Sequence, residues 1–261
     1  MSPYVIIAQE HQPSAAETTR RFSPNKEMND PSYRFLPGCC VLCDHWSFRR
    51  SDLCFACETD LPWIRNNCRY CGVPLAVATD LCLSCVKKPP NFSAVLCPLV
   101  YRFPVDVLIY QFKNQRRLAS GKVLTDLLLQ QHKKTLSSLI DRDTLLVPVP
   151  LHWTRRRVRG FNQAAFIANR LAKTLNVQAS PGIMRITRLT PAQKHQSRTS
   201  RSHNLKGAFE VKQSLEGKRI ILVDDVVTTA ATAAEASRCL LLAGAADVFI
   251  AALARTPDPR D

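Results

Sequence analysis

The sequence contains no uninterrupted apolar run near the ~20 residues that a membrane-spanning helix requires. Its opening stretch, MSPYVIIAQEHQPS, holds three consecutive strongly apolar residues with no basic segment ahead of them, so it does not read as a secretory signal. These absences point to a cytoplasmic chain that does not itself span a membrane. They also change the meaning of its eleven cysteines, which without export do not read as a disulfide framework. Acids are the other scarcity. Residues 86–209 hold 22 Lys or Arg but only Asp106, Asp126, Asp141 and Asp143, a local excess of +18 in a chain of net charge +15. So uneven a distribution favours a polyanionic partner or a phosphorylated substrate over simple solubility.

What is present suits a folded chain. At 261 residues with 46% apolar side chains, there is enough for one large domain or two smaller ones, each with its own core. Residues 1–36 are polar, carry Pro3, Pro13, Pro24 and Pro31 without a sustained period, and read as a disordered leader.

From Cys40 a repeat begins. The pairs Cys40/Cys43, Cys54/Cys57, Cys68/Cys71 and Cys82/Cys85 each have C-x2-C spacing, and each starts 14 residues after the last. Two thiolates so spaced grip one ion from a tight turn, and two such pairs complete a tetrahedral site. Eight ligands suffice for two Zn2+ ions; an iron–sulfur cluster is the rival for the same thiolates. Sequential pairing makes two tandem zinc ribbons over residues 38–88, although spacing alone leaves interleaved pairing open. Gly72, directly after Cys71, suits the turn of a knuckle. Cys39 falls out of register, and Cys97 and Cys239 sit in apolar runs where cysteine is usually a core residue.

Beyond residue 92 the pattern is mixed strand and helix. SAVLCPLVY (93–101), TLLVPVP (144–150), KRIILVD (218–224) and ADVFIAALA (246–254) read as strands, and 105–140 as one or two amphipathic helices. Residues 161–175 show helical periodicity through Phe161, Ala165, Ala168, Leu171 and Leu175. Residues 231–243 read as a helix with Thr232, Ala236, Cys239, Leu240 and Ala243 on one face and Gly244 as its stop. Strand, helix, strand at these lengths implies a parallel α/β sheet.

The stretch IILVDDVVTTAAT (220–232) sets two adjacent acids at the end of a hydrophobic run, which a purely structural sequence has little reason to do. Ligands bind at the carboxyl ends of strands in such sheets, where Asp224 and Asp225 would stand. The following small and hydroxyl residues lead into a helix whose N–H groups suit a phosphate. Carboxylates suit sugar hydroxyls or hydrated Mg2+, so a ribose 5-phosphate satisfies both.

ILVDDVVTTAAT resembles the phosphoribosyl-pyrophosphate motif of type I phosphoribosyltransferases. Together with VPVPLHWTRRRVRGFNQA (147–164), Gln193, Arg201, Asn204, KGAF (206–209) and the cysteine block, it resembles the ComF/GntX family of competence-associated proteins, from about residue 38 to residue 256. The resemblance implies a parallel-sheet, type I phosphoribosyltransferase-like α/β domain over 92–261, preceded by the small double zinc ribbon. It implies that Asp224 and Asp225 hold the ribose hydroxyls, with Mg2+ bridging the pyrophosphate. Thr228, Thr229, Ala230, Ala231 and Thr232 would hold the 5-phosphate, the turn at Pro150, Leu151 and His152 would approach the pyrophosphate, and 190–204 would cover the site. One departure matters: the family motif reads Thr-Thr-Gly-Ala-Thr, and Ala230 stands at its glycine. A methyl group there is tolerable with φ below zero and costly above it. No catalytic base is assigned, and nothing resembles a glutaminase domain.

The expected function is accessory to DNA uptake in natural transformation, with single-stranded DNA and phosphoribosyl pyrophosphate as ligands and other uptake proteins as partners. Arg155, Arg156, Arg157 and Arg159 lie between Trp153 and Phe161, and Lys113, Arg116 and Arg117 form a second cluster; together they are the candidate DNA surface. One alternative is an active phosphoribosyltransferase on a small base or amine. Another is a zinc-ribbon nucleic-acid binder whose α/β domain is only a scaffold.

Overall fold

The computed structural model describes residues 38–187 and 207–258. The leader 1–36 and the segment 190–204 therefore lie outside the described residues. The chain divides into two compact units between Asp60 and Leu61.

In the first unit the described residues form a cysteine knuckle followed by helix α1 (Phe55–Thr59). An ion pair of 2.6 Å between Arg49 and the buried Glu58 closes it.

The second unit opens with its own knuckle and helix α2 (Leu83–Lys87). Strands β1 (Ala94–Leu96) and β2 (Leu99–Val100) follow. The single strand expected over 93–101 is thus two, because Pro98 has no N–H to continue a ladder. Helices α3 (Val105–Asn114) and α4 (Leu118–Leu139) fill the expected helical region. Next come β3 (Thr144–Pro148), α5 (Trp153–Arg159), α6 (Gln163–Leu175) and β4 (Gln178–Ala179). Strands β5 (Met184–Ile186) and β6 (Phe209–Val211) pair as an antiparallel ribbon. The chain then runs through β7 (Arg219–Val227), α7 (Ala231–Leu242) and β8 (Asp247–Arg255).

The main sheet has the order β1-β8-β7-β3-β4, with β2 also on β8, and every pairing in it is parallel. Its central strands are buried on both faces: Ile220, Ile221, Leu222 and Val223 of β7 are all fully buried, as expected of a parallel sheet covered on two sides. The cysteine period marks a module boundary near residue 88, whereas the contacts leave the second knuckle with the sheet. Trp63 bridges Leu99, and the Ile64 N–H donates to the Pro98 carbonyl at 2.9 Å.

Two helix faces differ from expectation. In α6 the buried stripe is Ala164, Ile167, Ala168 and Leu171, while Phe161 precedes the helix and is only half-buried. In α7 it is Ala233, Ala236, Ser237 and Leu240, so Thr232, Cys239 and Ala243 flank the core-facing row rather than form it. In α6 the long side chains of Ile167 and Leu171 fix the rotation, since they bury the most apolar area. In α7 the row facing the core is mostly small residues with Leu240, and Leu242 is exposed. Gly244 does follow the end of α7, with φ +99°.

Candidate functional site

Strand β3 ends at Pro148, opposite Val223, while β7 stays paired with β8 as far as Val227. Asp224 is therefore the first residue of β7 beyond the reach of β3. The acidic pair lies inside the strand and not at its last position, but it sits where the neighbouring strand has left. Successive side chains of a strand point to opposite faces. Asp225 meets Lys113 of α3, Nζ to Oδ1, at 2.9 Å. Asp224 is partly buried, and its Oδ1 accepts the Asp225 N–H at 2.8 Å. Burial, and after it the Asp225 charge, pushes the Asp224 carboxyl up to about 7 from its ordinary 3.8.

Lys113 stands with the acids because of what lies next to it. Phe112 is fully buried and packs on Phe161 and Phe166, with ring centroids 5.4 and 5.3 Å away. Gly121 of α4 lets this ring approach, since any side chain there would collide with it. The aromatic cluster fixes the end of α3 against the segment that joins α5 to α6.

The loop after the acids holds Thr228 exposed and Thr229 half-buried, and it enters α7 through Ala230. Ala230 has φ +58° and ψ +5°, a left-handed conformation. The structure thus takes the costly branch: this backbone suits glycine, and the alanine methyl strains it. Among the described residues no side chain caps α7; the nearest is Thr229 Oγ1, 3.4 Å from the Ala231 N–H. The first turn of α7, with Ala231 and Thr232, presents N–H groups that no carbonyl of the helix satisfies.

On the β3 side, His152 caps the short helix α5, its Nδ1 2.9 Å from Thr154 Oγ1 and 3.3 Å from the Thr154 N. Pro150, Leu151 and His152 line a cleft of about 850 Å3 together with Trp153, Arg156 and Phe161. Arg155, Arg156 and Arg157 are exposed along α5, as is Trp153, with the Arg157 guanidinium 4.9 Å from the Trp153 ring centroid. The two basic clusters, distant in sequence, adjoin in space: Arg116 Nε donates to the Arg159 carbonyl at 3.0 Å. Arg159 donates to Gln163 at 3.2 Å. Arg117 is exposed at the start of α4. Lys113 leaves this group and faces the acidic pair.

The cysteines fall into two sets, Cys40/Cys43/Cys54/Cys57 and Cys68/Cys71/Cys82/Cys85, with all ligand atoms of a set within 4.8 Å of one another. The pairing is sequential. Four thiolates around Zn2+ at ~2.3 Å lie ~3.8 Å apart; Cys43–Cys54 and Cys71–Cys82 Sγ separations are both 3.7 Å. The knuckles match in detail: the N–H of Asp44 reaches Cys40 O at 3.0 Å, and that of Gly72 reaches Cys68 O at 2.9 Å. Burial opposes the Cys40 thiolate, yet the N–H groups of Cys54, Cys43 and Leu42 outweigh it and lower the thiol to about 7. A hydrogen bond from the Cys71 thiol leads the causes that bring Cys68 to about 4, against burial. The donor set fits zinc. Cys39 bonds to the Asp44 carbonyl at 3.2 Å, outside both sets, and Cys97 is buried in the core.

Sequence reasoning missed one residue. Arg255 ends β8, is 2% exposed, and donates to the carbonyls of Cys71, Val227, Thr228 and Thr256. A single arginine after an apolar run reads as a strand end, with no signal that it turns inward.

A parallel sheet with an acidic pair beside an uncapped helix N-terminus defines a type I phosphoribosyltransferase-like domain, here with two four-cysteine groups ahead of it. A family profile described as "Phosphoribosyl transferase domain" matches residues 160–261. The "DNA utilization protein YhgH" of Salmonella typhimurium (strain LT2) is 35% identical over 232 residues, 85% of this chain and 98% of that protein. The "Competence protein F" of Haemophilus influenzae is 29% identical over 83% of this chain and 96% of its own length. The "Competence protein ComFC" of Bacillus subtilis is 30% identical over 74% of this chain and 80% of its own length. The chain belongs to the ComF/GntX family. No helix among the described residues is long and apolar enough to cross a membrane.

Proposed function

We propose that this protein serves DNA uptake, binding single-stranded DNA on the basic surface of α5 and phosphoribosyl pyrophosphate with Mg2+ at the acidic pair. The names of its relatives, in DNA utilization and competence, support the first half; the phosphoribosyltransferase domain supports the second. The observation that carries the combined reading is the contact between Arg116 and Arg159 at 3.0 Å. It joins both basic clusters into one surface, and that surface begins three residues from Lys113, the partner of Asp225. In this reading, residues 38–88 form the double zinc ribbon and 92–261 the phosphoribosyl domain.

Each group has a task. Asp224 and Asp225 accept hydrogen bonds from the ribose hydroxyls, and the N–H groups at Ala231, which now reaches Thr229 Oγ1 at 3.4 Å, and at Thr232 take the 5-phosphate. Pro150, Leu151 and His152 border the pyrophosphate. Mg2+, when bound, neutralises pyrophosphate charge. The exposed arginines neutralise DNA phosphates, while Trp153 offers a face on which a base stacks.

Fluorescence anisotropy with a labelled single-stranded oligonucleotide tests the DNA half. Log affinity should fall with log salt by about 0.7 per neutralised phosphate, and Arg155, Arg156 and Arg157 changed together to Ala should weaken binding and flatten the slope. Absence of salt-dependent binding by the wild type rejects it. A second reading, turnover with a small base or amine as acceptor, is favoured by the cleft of about 850 Å3 beside His152. Release of pyrophosphate on addition of such an acceptor is its test.

A further inference from the structure

We infer that Arg255 is a strut through which metal at Cys68, Cys71, Cys82 and Cys85 sets the geometry of the loop at Thr228. The guanidinium bridges two places that sequence keeps far apart. Its Nε donates to the Cys71 carbonyl at 2.9 Å, and its Nη1 donates to Val227 O at 3.1 Å, to Thr256 O at 2.7 Å and to Thr228 O. Cys71 is a member of the second four-cysteine group, and Thr228 opens the loop that leads into α7.

Three physical facts make this bridge a coupling and not mere contact. A guanidinium is planar, so its Nε and Nη donors keep a fixed relative geometry, and displacing one anchor displaces the other. Arg255 is 2% exposed, so water does not replace a lost acceptor, and a buried charged donor without a partner is costly. The Cys71 end is itself pressed into place: Gly72 has φ +65°, and a Cβ there would stand 3.0 Å from Val95 Cβ of β1. Backbone hydrogen bonds shape the knuckle locally, Gly72 N–H to Cys68 O and Cys68 N–H to Val73 O, both at 2.9 Å. The four thiolates tie it to the Cys82/Cys85 pair, and a small cysteine module holds that arrangement firmly only while they share an ion. When the ion leaves, the Cys71 carbonyl is less firmly fixed, the guanidinium loses its Nε anchor, and its Nη1 bonds to the loop carbonyls are held in place less rigidly.

Arg255 is therefore a positioning residue for the loop that we read as the phosphate cradle. The test uses no phosphate ligand, so failure of the coupling and failure of that reading are separate results. Hydrogen exchange is followed by mass spectrometry on the full zinc-loaded chain, in the wild type and in Arg255→Lys, before and after zinc is stripped by a chelator. In the wild type, stripping should speed exchange in peptides covering 226–232 by about tenfold, the scale of one lost charged hydrogen bond, while β3 and α6 stay protected. Arg255→Lys keeps the charge but not the fork. It should show fast loop exchange with its zinc retained, and stripping should add little more, a non-additivity that a merely structural role does not produce. Loop exchange that ignores zinc removal, or that rises in parallel with β3 and α6, overturns the inference. If Arg255→Lys does not fold, the two wild-type states decide the question alone.

Discussion

Lys113 and Asp225 meet at 2.9 Å, each largely shielded from water, so the one lysine of the α3 cluster faces an acid and not the solvent. Removing it strands a carboxylate beside a second one. Lys113→Met, which keeps the aliphatic stem, should cost about 1–2 kcal/mol of stability, more than an exposed pair and less than a fully buried one. Urea denaturation checks this. Oligonucleotide affinity should change far less than in the triple α5 variant; an equal loss would return Lys113 to the DNA surface.

Ala230→Gly removes a methyl from a residue at φ +58°. Relief of left-handed strain exceeds the added backbone freedom of glycine, so the variant should be more stable by about 0.5–1 kcal/mol. Thermal unfolding should shift upward, with ligand binding equal or better. A lower melting temperature would mean that the methyl contributes packing that offsets the strain.

Asp224 titrates at about 7 in the folded chain against an ordinary 3.8. Because its folded value is raised, its contribution to stability is full below the unfolded value and is lost as pH climbs through the folded one. Stability of the wild type relative to Asp224→Asn should therefore fall between about pH 4 and 7. Ligand binding should move the opposite way, since only the ionised carboxylate strongly accepts ribose hydroxyls: affinity for phosphoribosyl pyrophosphate should rise from about pH 6 to 8. Calorimetry at several pH values reads both, and flat profiles would remove Asp224 from either role.

Elemental analysis of the purified chain should find two Zn2+ per chain, one for each four-cysteine group. Visible absorbance with bound iron would assign the same thiolates to an iron–sulfur cluster. Changing Cys43 and Cys54 together to Ser should remove one equivalent and leave the sheet intact, because the first group lies in its own unit.

What the sequence made legible was local. A 14-residue cysteine period carries its own geometry, since C-x2-C closes one knuckle and the next pair completes the set. Parallel strands read as apolar runs because both faces of β7 and β8 are buried. What stayed hidden depended on the rest of the fold. Nothing near Lys113 signals that it meets Asp225, because that meeting rests on Phe112 packing against Phe161 and Phe166. The left-handed conformation of Ala230 follows from how β7 meets α7, although the resemblance singled out that position as glycine in the family motif. Arg255 carried no signal at all: its partners are backbone carbonyls, which no side-chain pattern reveals.

If the acidic pair and the loop behind it bind phosphoribosyl pyrophosphate, calorimetric titration of the zinc-loaded chain with that ligand and Mg2+ will read it, set beside a variant carrying Asp224→Asn and Asp225→Asn. The wild type should bind one equivalent, and the variant, folded but without two charge-assisted acceptors worth ~1.5–3 kcal/mol each, should bind at least about tenfold more weakly. No heat of binding in the wild type, or equal affinity in the two proteins, would mean that the acidic pair does not bind this ligand.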